Sequence, residues 1–161
     1  NKNYRVKASK EGYFSKSEVV STVGKKEGII KQDMPLEKIV LNKAIRLDNI
    51  YYDLAKWNIR PDAAKELDKL VQLLKDNPTV VIELSSHTDC RASDAYNWDL
   101  SDKRAKSAAK YIVDVGKINK DRITGKGYGE TMLINRCANG VKCSEKEHQE
   151  NRRTEFKVLK F

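Results

Sequence analysis

An α/β (α+β sandwich) domain, ordered β-α-β-α-β-β with helices packed on a mixed sheet and a short β-rich segment ahead of it, is the fold this sequence predicts. Three observations predict it. The run Val80-Val81-Ile82-Glu83-Leu84 is nearly all apolar and of strand length, as an inner strand is. Two segments with helical periodicity, one after Pro61 and one after Ser93, lie on either side of it. The stretch Arg153 to Leu159 alternates, with Phe156 and Val158 on one face and Glu155 and Lys157 on the other.

Taken in order, residues 1–33 read as the end of a small β-sandwich. Tyr4 to Ala8 alternates as a strand does, Glu11-Gly12-Tyr13-Phe14 turns, and a second strand runs near Ser17 to Val23 before Gly24-Lys25-Lys26 breaks it. A few strands bury little core, so this segment either leans on the main domain or is mobile. Residues 34–46 form a link containing the extended piece Lys38 to Asn42, and the main domain spans residues 47–161. There, Ile50-Tyr51-Tyr52 reads as a short strand. Pro61 opens a helix, because the first turn tolerates a residue without an N–H. Ala64, Leu67, Leu70, Val71 and Leu74 follow at helical spacing, and Asn77-Pro78 ends the helix. Ser93 or Asp94 caps a second helix that runs to Val115, with Gly116 as its C′ residue. Arg122 to Tyr128 is a third strand, a long polar loop follows, and Arg153 to Leu159 is the last strand.

A chain of 161 residues suffices for one domain with a core plus an extra segment. Its net charge of +9 comes from 32 basic and 23 acidic residues interspersed, with no Lys/Arg tract longer than two. That pattern describes a solvated mixed-charge surface better than a nucleic-acid site. No apolar run approaches the ~18 residues of a membrane span. The chain opens abruptly on polar residues and reads as a piece of a longer protein, so the absence of a signal peptide carries no information about compartment.

Cys137 and Cys143 bracket a polar, Gly-containing stretch, and no second Cys/His pair completes a zinc site. A loop-closing disulfide in an oxidising compartment is the favoured reading, two unpaired cytosolic thiols the alternative. Cys90 is left as a free thiol.

The candidate site is Ser86-His87-Thr88-Asp89 with Arg104. The carboxylate stands at the end of an apolar strand, and the guanidinium lies fifteen residues on, near the start of the second helix. On that helix Lys103, Lys106 and Lys110 form a solvated face, while Ala105, Ala109 and Ile112 form the buried stripe. Arg104 shares a line with Asn97, Leu100, Ala108 and Tyr111 and so borders the core. A guanidinium there needs an anionic partner. Two readings stand: a structural Asp89–Arg104 ion pair, or two charges facing a cleft and sharing a zwitterionic ligand. Thr88 and Asn97 offer neutral hydrogen bonds beside them.

Enzyme readings are weaker. His87 and Cys90 as base and thiolate lack a third group to orient the imidazole. His87, Asp89 and Cys90 as metal ligands crowd one short segment, with His148 the only other histidine. Gly127-x-Gly129 follows a strand but opens no helix, as a phosphate loop must.

The residues His87-Thr88-Asp89, Asp94-Ala95-Tyr96-Asn97, Leu100-Ser101, Arg104-Ala105, Gly127-Tyr128-Gly129-Glu130 and Asn151-Arg152-Arg153 resemble, in order and spacing, the OmpA-like C-terminal peptidoglycan-binding family. The resemblance covers roughly residues 47–161. It implies an OmpA-like fold and non-catalytic, non-covalent binding of peptidoglycan through the meso-diaminopimelate of the stem peptide. Asp89 matches the residue that takes the diaminopimelate ammonium, Arg104 the one that takes its carboxylate, and Thr88, Asn97 and Arg152 supporting positions. It implies no cofactor, no metal and no nucleic acid. It also implies a periplasmic setting at the outer membrane and cell wall, with outer-membrane or secretion-complex proteins as partners. Ser86 and Ala92 stand where the family has glycine, and Cys90 directly follows the aspartate; these change the loop rather than the two charges. The Cys137–Cys143 loop resembles an insertion seen in some members. Residues 1–33 are similar to the end of a carboxypeptidase-regulatory-like β-sandwich, a pairing found in multidomain outer-membrane-associated proteins, including a type linked to a secretion apparatus. The competing functions are a cell-wall hydrolase and a basic nucleic-acid- or lipid-binding module.

Overall fold

The last strand in the chain, β6 (Thr154–Lys160), lies inside its sheet, between β3 (Ala44–Leu47) and β4 (Val81–Ser86). In this computed structural model residues 2–25, 28–48, 50, 52 and 56–161 are described. The sheet order is β3-β6-β4-β5, with β5 spanning Ile123–Gly127. β6 is antiparallel to β3 and β4, and β4 and β5 are parallel, so the sheet is mixed. A parallel pair needs a crossover, and α2 (Asp94–Asp114) supplies it. The other long helix, α1 (Pro61–Asp76), joins β3 to β4.

The core lies between the helices and one face of the sheet. Leu67, Leu70, Val71 and Leu74 of α1 and Ala108 and Ile112 of α2 meet Ile82, Leu84, Ile123, Phe156 and Val158. Each fully buried side chain of this size contributes about 1.5–3 kcal/mol. On α1 the stripe is as expected from Leu67 to Leu74, and only its first member differs: Ala63 is buried and Ala64 partly so. Pro61 occupies the first turn, and Ser93 Oγ accepts from Tyr96 N as the α2 cap. At the far end of α1, Arg122 donates to the carbonyls of Leu74, Asn77 and Val80, satisfying groups the helix leaves open.

Two glycines set how close α2 comes to the sheet. A Cβ on Gly125 would lie 2.5 Å from the Ala105 carbonyl oxygen, and one on Gly127 would lie 2.2 Å from Asp102 N. Gly116 follows the C-cap Val115 and so takes the expected C′ position, but it is not the left-handed residue of the turn. Lys117 takes that conformation (φ 58°), and Gly116 is needed because a Cβ would lie 2.5 Å from Val71 Cγ2 of α1.

Other elements also differ from expectation. The edge strand is Ala44–Leu47, which begins in the stretch read as a link and ends on the first residue of the main domain; it pairs where Ile45 and Leu47 turn apolar side chains toward the core. Of the strand expected at Ile50 to Tyr52, Tyr51 lies outside the described residues, and Ile50 and Tyr52 are not in a strand. The polar loop contains a helix, α3 (Glu145–Asn151), nucleated by a capping box between Ser144 and Glu147. At the N-terminus β1 (Asn3–Ala8) and β2 (Lys16–Ser21) form an antiparallel hairpin that leans on the end of α1. Ser17 donates from N and Oγ to Asp76, Ser15 N to Asn77 Oδ1, and Lys7 Nζ to the Asp76 carbonyl.

Candidate functional site

A polar cleft opens at the C-terminal end of β4, lined by Tyr52, Ser86, Arg104, Gln149, Arg152 and Thr154 among others. Each wall comes from a different element. Ser86 ends β4 and Thr154 begins β6; their hydroxyls lie 3.1 Å apart in the floor. Arg104 comes from the buried side of α2, and Gln149 and Arg152 come from α3 and its C-cap. Tyr52 donates its hydroxyl proton to the Arg104 carbonyl at 3.3 Å, and its ring lies 4.8 Å from the Arg104 guanidinium carbon. Burial pushes the Tyr52 hydroxyl up to about 12, so it stays a neutral donor.

Arg104 is only 8% exposed. Its Nε donates to the Lys56 carbonyl at 3.0 Å. Burial pulls its pKa below the usual value, partly offset by Tyr52, Tyr96 and Asp89. Of the two readings of Asp89 and Arg104, the direct ion pair is not what the fold builds: among the described residues the ion pairs of Asp89 are to Arg91 and Arg152. Burial works against the Asp89 charge, but hydrogen bonds from Arg91 and Arg152 outweigh it and hold the carboxyl below the ordinary range. Arg91 and Arg152 also share Glu145, so two guanidiniums and two carboxylates link the Asp89 loop to α3.

The other predicted residues separate by role. Asn97 is buried and donates through Nδ2 to the carbonyls of Asp89 and Ala92 and to Glu130, so it shapes the loop that carries Asp89. Thr88 is buried with Oγ1 unpartnered among the described residues, while its N–H donates to the Gly129 carbonyl. Arg152 lines the cleft and bonds both Asp89 and Gln149. His87 turns to the opposite sheet face from the helices. Its ring stacks on Tyr128 at 5.5 Å, and Nε2 lies 3.4 Å from Glu155, too poorly aligned for a hydrogen bond. Contact with His87 and Arg153, against the opposing effect of burial, brings Glu155 down to about 2. Cys90 is a buried free thiol, and Cys137 and Cys143 form a disulfide. That bond ends one residue before the α3 cap, so it fixes the helix that delivers Gln149 and Arg152.

The sequence reading missed Tyr52, Arg91, Glu145 and Gln149. Arg91, two residues after Asp89, was the detectable one, because a side chain at that offset reaches back across a turn. The others depend on α3 and on the packing of α2.

The arrangement holds fixed charges of both signs around one polar cleft, which suits recognition of a small ion-bearing ligand. Three comparisons bear on it. A family model described as the OmpA family matches residues 51–147. The chain is 34% identical over 112 residues to Photosystem I P700 chlorophyll a apoprotein A2 of Gloeobacter violaceus, and 35% identical over 98 residues to outer membrane protein A of Salmonella typhi. These alignments take in 69% and 56% of this chain but 13% and 27% of those proteins. Among solved structures, the peptidoglycan-associated lipoprotein from Burkholderia pseudomallei matches with a TM-score of 0.58 at 20% identity, over 68% of this chain and 87% of that one.

Proposed function

Since the chain belongs to the OmpA family, we propose that it is a non-catalytic module that binds peptidoglycan without covalent attachment, on the periplasmic side of an outer membrane. The printed names of its relatives, an outer membrane protein and a peptidoglycan-associated lipoprotein, support that reading. The observation that carries it is Arg104, a buried guanidinium facing a polar cleft with Arg152 and Asp89 alongside.

In finer terms, the ligand is the meso-diaminopimelate of the stem peptide. The amino-acid head at the end of its side chain carries an ammonium and a carboxylate. Arg104, with Arg152, takes the carboxylate, and Asp89 takes the ammonium. Thr88 Oγ1, buried and without a partner among the described residues, adds a neutral hydrogen bond, and Asn97 holds the Asp89 loop in place. Charge-assisted hydrogen bonds of this kind contribute about 1.5–3 kcal/mol each. A lysine-type stem peptide has the ammonium but lacks the carboxylate, so it forgoes the charge-assisted bonds to Arg104 and Arg152 and binds more weakly. Weak single sites suffice where a polymer offers many copies. In the longer protein, the module tethers outer-membrane or secretion-complex partners to the cell wall, with residues 1–33 as the end of a β-sandwich and residues 47–161 as the binding domain.

Calorimetric titration with two stem peptides, one carrying meso-diaminopimelate and one carrying lysine, tests this. Saturable heat from the first alone is expected; equal silence from both would sink the reading.

A further inference from the structure

Helix α3 carries three glutamates, yet the residue it contributes to the cleft lining is the neutral Gln149. The glutamates are engaged elsewhere. Glu145 bonds Arg91 and Arg152, Glu147 closes the capping box with Ser144 and reaches Arg136, and Glu150 accepts from Asn135. Gln149 Oε1 accepts from Arg152 at Nε, 3.1 Å away, and at Nη2. It therefore sits on one edge of the guanidinium, while Nη1 bonds Asp89. When Nη1 leaves Asp89 for a ligand, Gln149 still holds the opposite edge.

Arginine only donates, so its bonds fix which way the Gln149 amide lies. With Oε1 turned to Arg152, the two N–H groups of Nε2 are left over, and among the described residues they have no hydrogen-bond partner. The lining thus holds a neutral donor in company with Arg104 and Arg152. Its neutrality matters as much as its hydrogens. Asp89 and Glu145 already balance the charges of Arg91 and Arg152. A carboxylate in place of the amide would satisfy Arg152 equally well, but it would set an unbalanced negative charge against any anionic group entering the cleft. An amide at this position anchors Arg152 without that repulsion.

We infer that Gln149 is a specificity-determining residue of the cleft: Nε2 donates to the carboxylate of the ligand while Oε1 holds Arg152. The inference rests on the cleft being the stem-peptide site. It gives the ligand carboxylate a neutral partner beside its two cationic ones, and it explains why the acid-rich α3 turns its one amide inward.

The test uses two stem peptides, one with the free meso-diaminopimelate carboxylate and one with that carboxylate converted to a primary carboxamide, in calorimetry on wild type and Gln149→Glu. The substitution keeps an oxygen for Arg152 and removes both donors. Wild type is expected to prefer the carboxylate form. Gln149→Glu is expected to weaken that form about tenfold and the carboxamide form less than about twofold, because the new oxygen accepts from the carboxamide N–H. Unchanged affinity of Gln149→Glu for the carboxylate form means that Gln149 serves Arg152 alone; it overturns the inference and leaves the cleft reading intact. A second readout is taken on wild type. The Nε2 proton resonances of Gln149, assigned by their loss in Gln149→Ala, are expected to move downfield on titration with the carboxylate form. Resonances that stay in place while the peptide binds overturn the inference, whatever the stability of Gln149→Glu. Failure of wild type to bind the carboxylate form overturns the cleft reading and the role of Gln149 with it.

Discussion

The guanidinium of Arg152 bonds the carboxylate of Asp89, 63 residues earlier in the chain, and Arg91 bonds the same oxygen at 2.8 Å. A ligand ammonium that reaches Asp89 therefore competes with two protein cations. Arg152 also lines the cleft, so it can turn from Asp89 to a ligand carboxylate with its charge paired throughout. Arg91 keeps Glu145 as an alternative anchor.

Removing Arg91 tests that competition. Arg91→Ala frees one face of Asp89 without touching the cleft lining, so a meso-diaminopimelate peptide is expected to bind severalfold tighter by calorimetry. Weaker binding would show that Arg91 positions Asp89 and does not compete for it.

Arg104→Lys separates charge from shape. Lysine keeps the positive charge but loses the planar fork that grips a carboxylate with two hydrogen bonds. Affinity is expected to fall at least tenfold, about 1.4 kcal/mol, with a melting temperature within a few degrees of wild type. Unchanged affinity in Arg104→Lys would show that a point charge is all the site requires.

Reducing the Cys137–Cys143 disulfide loosens the segment before α3. Closing a loop with a sequence separation of 6 constrains the unfolded chain by roughly 2–3 kcal/mol, so a lower melting temperature is expected. Because α3 delivers Gln149 and Arg152, peptide affinity is expected to fall as well, under conditions where circular dichroism shows the domain folded. A drop in melting temperature with unchanged affinity would confine the disulfide to stability.

Acid acts through Glu155. Its carboxyl titrates near 2 in the folded chain against an ordinary 4.5, so its contribution is complete above about 4.5 and is lost as pH falls toward 2. Thermal melts between pH 5 and pH 2 are expected to fall more steeply for wild type than for Glu155→Gln. Parallel curves would assign acid sensitivity elsewhere, with Asp89 the next group to examine.

Much of this was legible in the chain because it depends on local pattern. The periodicity of Leu67 to Leu74 and the run Val80 to Leu84 place α1 and β4, and the helix wheel alone puts Arg104 at the core margin. What was not legible depends on distant partners. Ala44–Leu47 is a strand because β6 lies beside it, and Gly116 is a glycine because Val71 packs there. Spacing suggested that Asp89 and Arg104 belong together, yet the groups that hold Asp89 include Arg152, brought in by α3. Helix α3 is seven polar residues, and without an apolar stripe its only sequence signal was the Ser144–Glu147 capping box.

The glycines of β5 have a kinetic consequence. With Gly125 and Gly127 seating α2 directly on the strand, the helix that carries Arg104 and the sheet end that carries Asp89 move as one piece. A ligand then meets a cleft whose backbone is already in place, and only side chains such as Arg152 rearrange. Encounter is set by diffusion and orientation, and the difference between a cognate and a non-cognate wall fragment is carried by how long each stays bound.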